Sequence, residues 1–167
     1  FEDISNFLGF VYYEGKFIEK DIKKSIFYFT ISTEPTNDKI QHILGKIYYE
    51  EESIAVNIKK AIHYFTLSSN QGNSRSQSLL GEIYYRGKYC PVDIEKAIYF
   101  LELSANNGDK LSQYMLAEIY CFGQYCPRNI EKSLHYLNFS LNQDCSNAQF
   151  LCGYMYYKGI LPKNIKE

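Results

Sequence analysis

The sequence has no apolar run near the ~18 residues that a membrane-spanning helix needs, so no transmembrane segment is expected. No charge of one sign dominates it either: 18 basic and 19 acidic side chains leave a formal net charge of -1. A protein that grips a phosphate backbone needs a clustered positive field, so nucleic acid is not expected as a partner. The same balance supplies no pull towards an anionic lipid surface, and no direct membrane contact is expected. The chain opens on Phe1, without a basic stretch followed by an apolar one, so no secretory leader is legible. Both termini read as cut ends. Cysteine is present five times, an odd count that a secreted disulfide framework does not normally show. Free thiols and a cytoplasmic setting are expected.

What is present is a core and a repeat. Hydrophobic residues make up 46% of the chain, enough to support packing and to argue against disorder. Internal recurrence dictates a fold more strongly than any local pattern. Leu8-Gly9-Phe10-Val11-Tyr12-Tyr13 returns as Leu44-Gly45-Lys46-Ile47-Tyr48-Tyr49 and as Leu80-Gly81-Glu82-Ile83-Tyr84-Tyr85. It returns again as Leu116-Ala117-Glu118-Ile119-Tyr120-Cys121 and Cys152-Gly153-Tyr154-Met155-Tyr156-Tyr157, each copy 36 residues after the last. A second block keeps the same step: Asp21-Ile22-Lys23-Lys24-Ser25-Ile26, then Asn57 to Ile62, Asp93 to Ile98 and Asn129 to Leu134.

Each repeat reads as two helices of roughly 13 residues, ~20 Å long at 1.5 Å per residue. In the third, helix A runs from Ser74 to Arg86, with Ser76, Leu79, Leu80, Ile83 and Tyr84 on one face. Gly87 stops it, and a loop containing Pro91 follows. Helix B starts at Asp93, a good capping residue, as are Asp21, Asn57 and Asn129 in the same column. Its inner face is Ile94, Ala97, Ile98, Leu101 and Ser104. Asn70 to Asn73, Asn106 to Asp109 and Asn142 to Cys145 break the chain before the next helix A. Small residues recur where helices must approach closely: Gly9, Gly45, Gly81, Ala117 and Gly153 against Ser25, Ala61, Ala97 and Ser133. Ser32, Ser68, Ser104 and Ser140 form another small column.

These residues resemble the Sel-one-like repeat, a branch of the tetratricopeptide superfamily. Leu80-Gly81, Tyr84, Gly87, Pro91, Asp93 and Lys96-Ala97 carry its pattern most fully. Gln113, Leu116, Tyr120, Gly123, Pro127 and Lys132 match it, as do Ala148-Gln149, Gly153, Tyr156 and Gly159. Glu51 departs from it, and Phe17, Tyr89 and Tyr125 stand where the family has a second loop glycine. The resemblance implies an all-α fold: a right-handed α/α solenoid of about five antiparallel helix pairs. One array is expected over 1-167, with repeats at 1-37, 38-73, 74-109, 110-145 and a truncated 146-167. It also implies scaffold or adaptor work within multiprotein complexes. Because the fifth repeat stops early in its helix B, further chain is expected after Glu167.

No catalytic constellation is legible, so no enzyme is expected, and no cofactor or metal. The three histidines, His42, His63 and His135, are dispersed, with the last two in one column two repeats apart. Cys121 and Cys126 lack the further ligands that a zinc site requires. Cys90, Cys126 and Cys152 occupy apolar columns and read as packing residues. The cysteine-rich relatives carry paired cysteines in most repeats; these repeats do not. Lys23-Lys24 and Lys59-Lys60 read as solvated helix starts.

The aromatic content, 17%, is the strongest pointer to a binding face. Tyr12, Tyr48, Tyr84, Tyr120 and Tyr156 are assigned to the core. Tyr13, Tyr49, Tyr85 and Tyr157, with Cys121 in the same column, turn towards the expected concave face. His42, Ser78, Tyr114 and Phe150, and Lys46, Glu82, Glu118 and Tyr154, lie on the same helical stripe. Tyrosine is favoured at interfaces for its apolar area, hydroxyl and few rotors. The expectation is a tyrosine-floored groove that binds a protein or peptide partner, with Tyr49, Tyr85 and Tyr114 each more than a third exposed. The competing reading is a structural or regulatory segment of a larger protein. The oligomeric state is not legible.

Overall fold

Capping and loop chemistry fix the helix pairs, and the same bonds recur at each step. The computed structural model describes residues 2-31, 37-50 and 54-161. Among these lie nine α-helices and no strand: α1 (Glu2–Glu14), α2 (Ile22–Ile31), α3 (Asp38–Glu50), α4 (Ile58–Asn70), α5 (Ser74–Arg86), α6 (Ile94–Asn106), α7 (Lys110–Phe122), α8 (Ile130–Leu141) and α9 (Ser146–Tyr157). The fold is an all-α repeat solenoid, and α5 has the bounds that its periodicity gives. The chain divides into two compact units, Phe1–Gln77 and Ser78–Glu167, with the division inside α5.

Each helix B begins in the same way. Asp21, Asn57, Asp93 and Asn129 accept the backbone N–H three residues on, at 2.9–3.1 Å. That satisfies one of the four free donors at a helix start. Each of these capping residues also donates its own backbone N–H to the carbonyl of the tyrosine column: Tyr12, Tyr48, Tyr84 and Tyr120. Cap and loop are therefore closed by one residue. Gly123 ends α7 at φ 61°, the left-handed conformation that glycine adopts without a steric penalty. Between helix B and the next helix A, Gly72 and Gly108 sit at φ 88° and 86°. Asp144 occupies the equivalent place at φ 53°, a conformation that aspartate tolerates better than most residues.

Within each unit, the large helix A residues pack against small helix B positions. Leu44, Leu80, Leu116, Ala61 and Ala97 are buried. Ser25 and Ser133, also buried, donate from Oγ to the carbonyls of Gly9 and Ala117 at 2.9 and 2.8 Å. A Cβ on Gly9 or Gly45 would stand 2.5 Å from the ring of Phe29 or Phe65, and one on Gly81 2.5 Å from Leu101. The helix B expected against Gly153 lies outside the described residues. Ser68 and Ser140 donate to the carbonyls of Asp38 and Lys110, both at 2.7 Å, tying helix B back to its own helix A. Ser32 and Glu51 lie outside the described residues, as does the start of the fifth helix B.

The tyrosine column is a layered stack rather than a fully buried one. Tyr120 is buried, while Tyr12, Tyr48, Tyr84 and Tyr156 are half-buried. Tyr12 stacks on Tyr28, Tyr48 on Tyr64, Tyr84 on Phe100 and Tyr120 on Tyr136. Their ring planes lie within 8° of parallel, and their centroids are 5.6–6.2 Å apart. Over the same tyrosine rings sit the ammonium groups of Lys24, Lys60, Lys96 and Lys132, 4.8–5.2 Å from the ring centres. Lys24 and Lys60 are thus more than solvated helix starts, because a cation over a ring face is drawn to its quadrupole. Cys121, expected in the column that turns towards the concave face, is buried instead. Cys90 and Cys126 are only half-buried, because the loop column they share is itself partly open, with Ile18 exposed; Cys152, in the leucine column of helix A, is half-buried too.

Candidate functional site

The expected binding stripe is carried by helix A of each repeat, and its side chains differ between the two units. In the first unit, Tyr13 packs beside the buried Phe29, Ile40 and Leu44. Tyr49 sets its ring edge-on to Phe65 at 6.3 Å. Lys46 pairs with Glu50 at 2.9 Å, one helical turn on; this bond holds the ammonium above its ordinary pKa. His42 is half-buried, and its Nδ1 lies 2.8 Å from Ser76 Oγ.

The direction of the bonds around His42 is determined. Ser68 Oγ donates to the Asp38 carbonyl, and Ser76 Oγ donates to Ser68 Oγ at 2.8 Å. Both hydroxyl hydrogens are thereby used, so Nδ1 carries the imidazole proton and donates to Ser76. Burial, reinforced by the charges of Lys46 and Arg75, pushes the His42 pKa down to about 4. The ring is neutral at physiological pH.

In the second unit the stripe is acidic and aromatic. Tyr114 donates from its hydroxyl to Glu118 Oε1 at 2.7 Å. Burial and this bond hold its pKa well above the ordinary tyrosine value. Tyr85 sits edge-on to Tyr125 at 6.4 Å. Burial, together with the Glu118 charge, pushes its hydroxyl up to about 12. Glu82 accepts from Arg86 Nε at 2.6 Å. Tyr154 meets Phe122 edge-on at 5.5 Å. Phe150 and Tyr157 are 78% and 82% exposed, the most open members of the stripe on α9.

Two expectations change here. Tyr49, Tyr85 and Tyr114 are half-buried rather than open, because Phe65, Tyr125 and Glu118 each cover part of them. Ser78 is engaged within the fold. It accepts from Ser112 Oγ at 2.9 Å and donates to Asp109 Oδ1, the cap of α7, at 3.3 Å. The periodicity reading also missed Phe122, Arg86 and Tyr125. Phe122 and Arg86 lie four residues beyond Glu118 and Glu82, so one more turn of the same stripe would have found them. Among the described residues no group of three or more His, Cys, Asp or Glu could hold a metal. Burial raises the Cys121 thiol pKa, which disfavours the reactive thiolate. No helix among the described residues is long and apolar enough to cross a membrane.

The Sel1 repeat model matches residues 5–34, 41–73, 74–109, 110–145 and 146–167. This chain belongs to the Sel1 repeat family. Sel1 repeats are generally protein–protein interaction scaffolds and typically non-catalytic. Among solved structures, the protective antigen c5321 of uropathogenic Escherichia coli, which displays an SLR fold, is 28% identical with a TM-score of 0.85. It is matched over 100% of this chain and 35% of its own. A Sel1 repeat protein from Oxalobacter formigenes is 23% identical with a TM-score of 0.79, over 95% of this chain and 65% of its own. Cysteine-rich protein B of Helicobacter pylori is 19% identical with a TM-score of 0.60, over 82% and 98%. The chain thus spans about a third of the first relative and just under two thirds of the second. No curated protein matches it.

Proposed function

We propose that these five Sel1 repeats form one array that works as a non-enzymatic scaffold or adaptor. It binds a peptide or partner protein on the helix A stripe. The observation that carries this reading is the linked surface of the second unit. Tyr85 and Tyr114 meet at Glu118, Phe122 stands one turn further on, and Tyr154 closes against Phe122. Phe122 remains 46% exposed. Half-covered aromatics held by hydroxyl–carboxylate bonds offer apolar area at low entropic cost, the usual make-up of an interface anchor. The titratable groups that the stripe brings together, Tyr85, Tyr114 and Glu118, are bonded to one another, and a binding role fits them.

The test is a cross-linked pull-down from the source cells, followed by titration of the recovered partner. Tyr85→Ala should weaken binding by about 1 kcal/mol or more, the level of an anchor residue. Glu95→Ala, exposed in the first turn of α6, should leave it unchanged. Equal losses from both substitutions would move the interface off this stripe.

A further inference from the structure

The first unit contains a cleft of about 420 Å³, walled by Phe10 of α1, Lys39, His42 and Ile43 of α3, and Asn73 and Arg75 at the start of α5. That volume falls within the ~300–1,000 Å³ of pre-formed ligand pockets. Its walls divide by chemistry. Phe10 and Ile43, both half-buried, give an apolar side. Lys39 and Arg75 are exposed, and no carboxylate among the described residues pairs with either. The acidic groups nearby are already engaged: Asp38 accepts from the Asn73 amide at 2.7 Å, and Glu50 pairs with Lys46. Asn73 Oδ1 is used to cap α5 through Ser76 N.

His42 adds a third recognition element. Its Nδ1 proton is committed to Ser76, so the unprotonated nitrogen is Nε2. Among the described residues the only buried side-chain polar atom without a hydrogen bond is Asn6 Oδ1. The bond at His42 is made by Nδ1 alone. Nε2 therefore keeps its lone pair accessible, as an acceptor in a wall that otherwise presents two cationic donors.

We propose that this cleft is a peptide subsite that selects an apolar side chain followed by an acidic one within an extended segment of a partner protein. The apolar side chain lies against Phe10 and Ile43. The side-chain carboxylate meets Lys39 and Arg75, where a charged donor–acceptor pair is stronger than a neutral one. A peptide N–H is free to donate to His42 Nε2. This assignment rests on the scaffold reading and specifies, for the first unit, which ligand chemistry the stripe takes. The second unit carries Glu82 and Glu118 in the column where the first has Lys46, so the acidic preference belongs to the first unit.

The probe is a fluorescein-labelled, acetylated and amidated hexapeptide of alternating leucine and glutamate, read by anisotropy on the whole chain. Its glutamine counterpart should bind at least ten-fold more weakly. The Lys39→Ala/Arg75→Ala protein should lose at least ten-fold in affinity, while Glu95→Ala, exposed on α6 in the other unit, keeps full affinity. Lys39→Glu/Arg75→Glu should transfer the preference to a leucine–lysine peptide, a gain that misfolding cannot produce. Absence of binding, equal binding of the glutamine peptide, or binding that depends on Tyr85 and not on the two cations would overturn the subsite. Dependence on Tyr85 would do so while leaving the scaffold reading intact. A glutamine peptide with a free C-terminal carboxylate that binds as well as the glutamate peptide would overturn the side-chain assignment.

Discussion

His42 is held neutral by burial and by two nearby cations, and that has a consequence for stability. Above pH 6.5 the imidazole is neutral in both the folded and the unfolded chain. As pH falls from 6.5 towards about 4, the unfolded chain takes up a proton that the folded one refuses. Stability present above pH 6.5 is therefore lost through that window and levels off below it. The ring is partly open to solvent, so the loss should be about 1 kcal/mol rather than the full linkage value. Urea midpoints at pH 7 and pH 4.5 should fall further apart in the native chain than in His42→Gln. All other ionisable groups are common to both proteins, so the difference between them isolates His42. A close helix approach gives a second prediction at this scale. Gly81→Ala forces Leu101 to move and should cost about 1–2 kcal/mol in thermal unfolding, since overpacking exceeds the gain in helix propensity.

At the scale of the element, a helix A is a wedge with one face sealed and one face available. Leu80 is fully buried and Glu82 half-buried with a surface ion pair to Arg86. Leu80→Ala should cost about 2–5 kcal/mol and Glu82→Ala under ~0.5 kcal/mol, measured by urea denaturation. Similar costs would mean that the helix is rotated from the phase described. That phase was legible because Leu44, Leu80 and Leu116 recur with the helical period. The caps were legible because Asp and Asn recur before each helix B. The lysine–tyrosine–aromatic stacks were not found from sequence, although Tyr28, Tyr64, Phe100 and Tyr136 also recur at 36 residues. These aromatics lie on helix B, and what makes them a unit is contact across the pair. Each stack adds a ring pair worth ~0.5–1.5 kcal/mol and a cation contact worth ~0.5–1 kcal/mol at exposed sites.

At the scale of the whole chain, stability in a repeat protein is a sum of repeat and nearest-neighbour contributions. Removing one whole repeat, residues 74-109, should leave a helical protein with a cooperative urea transition. Removing only 74-91 strips α5 from α6 and leaves Leu101 and Ala97 without their cover. That variant should lose cooperativity or precipitate. Circular dichroism with urea titration distinguishes the two outcomes.

The sequence by itself determined the period, the helix pairs, their caps and the residues that seal each pair, because these depend on contacts repeated at one spacing. Only the tertiary structure decided how open each member of the binding stripe is. Tyr13, Tyr49, Tyr85 and Cys121 share a column, yet the three tyrosines are half-covered and Cys121 is buried. Ser78 and Tyr114 share another, yet one is bound to the cap of α7 and the other to Glu118. The physical reason is that a period specifies the backbone position of a side chain. Its exposure and bonding depend on the non-repeating residues beside it, and those meet only when the helices pack.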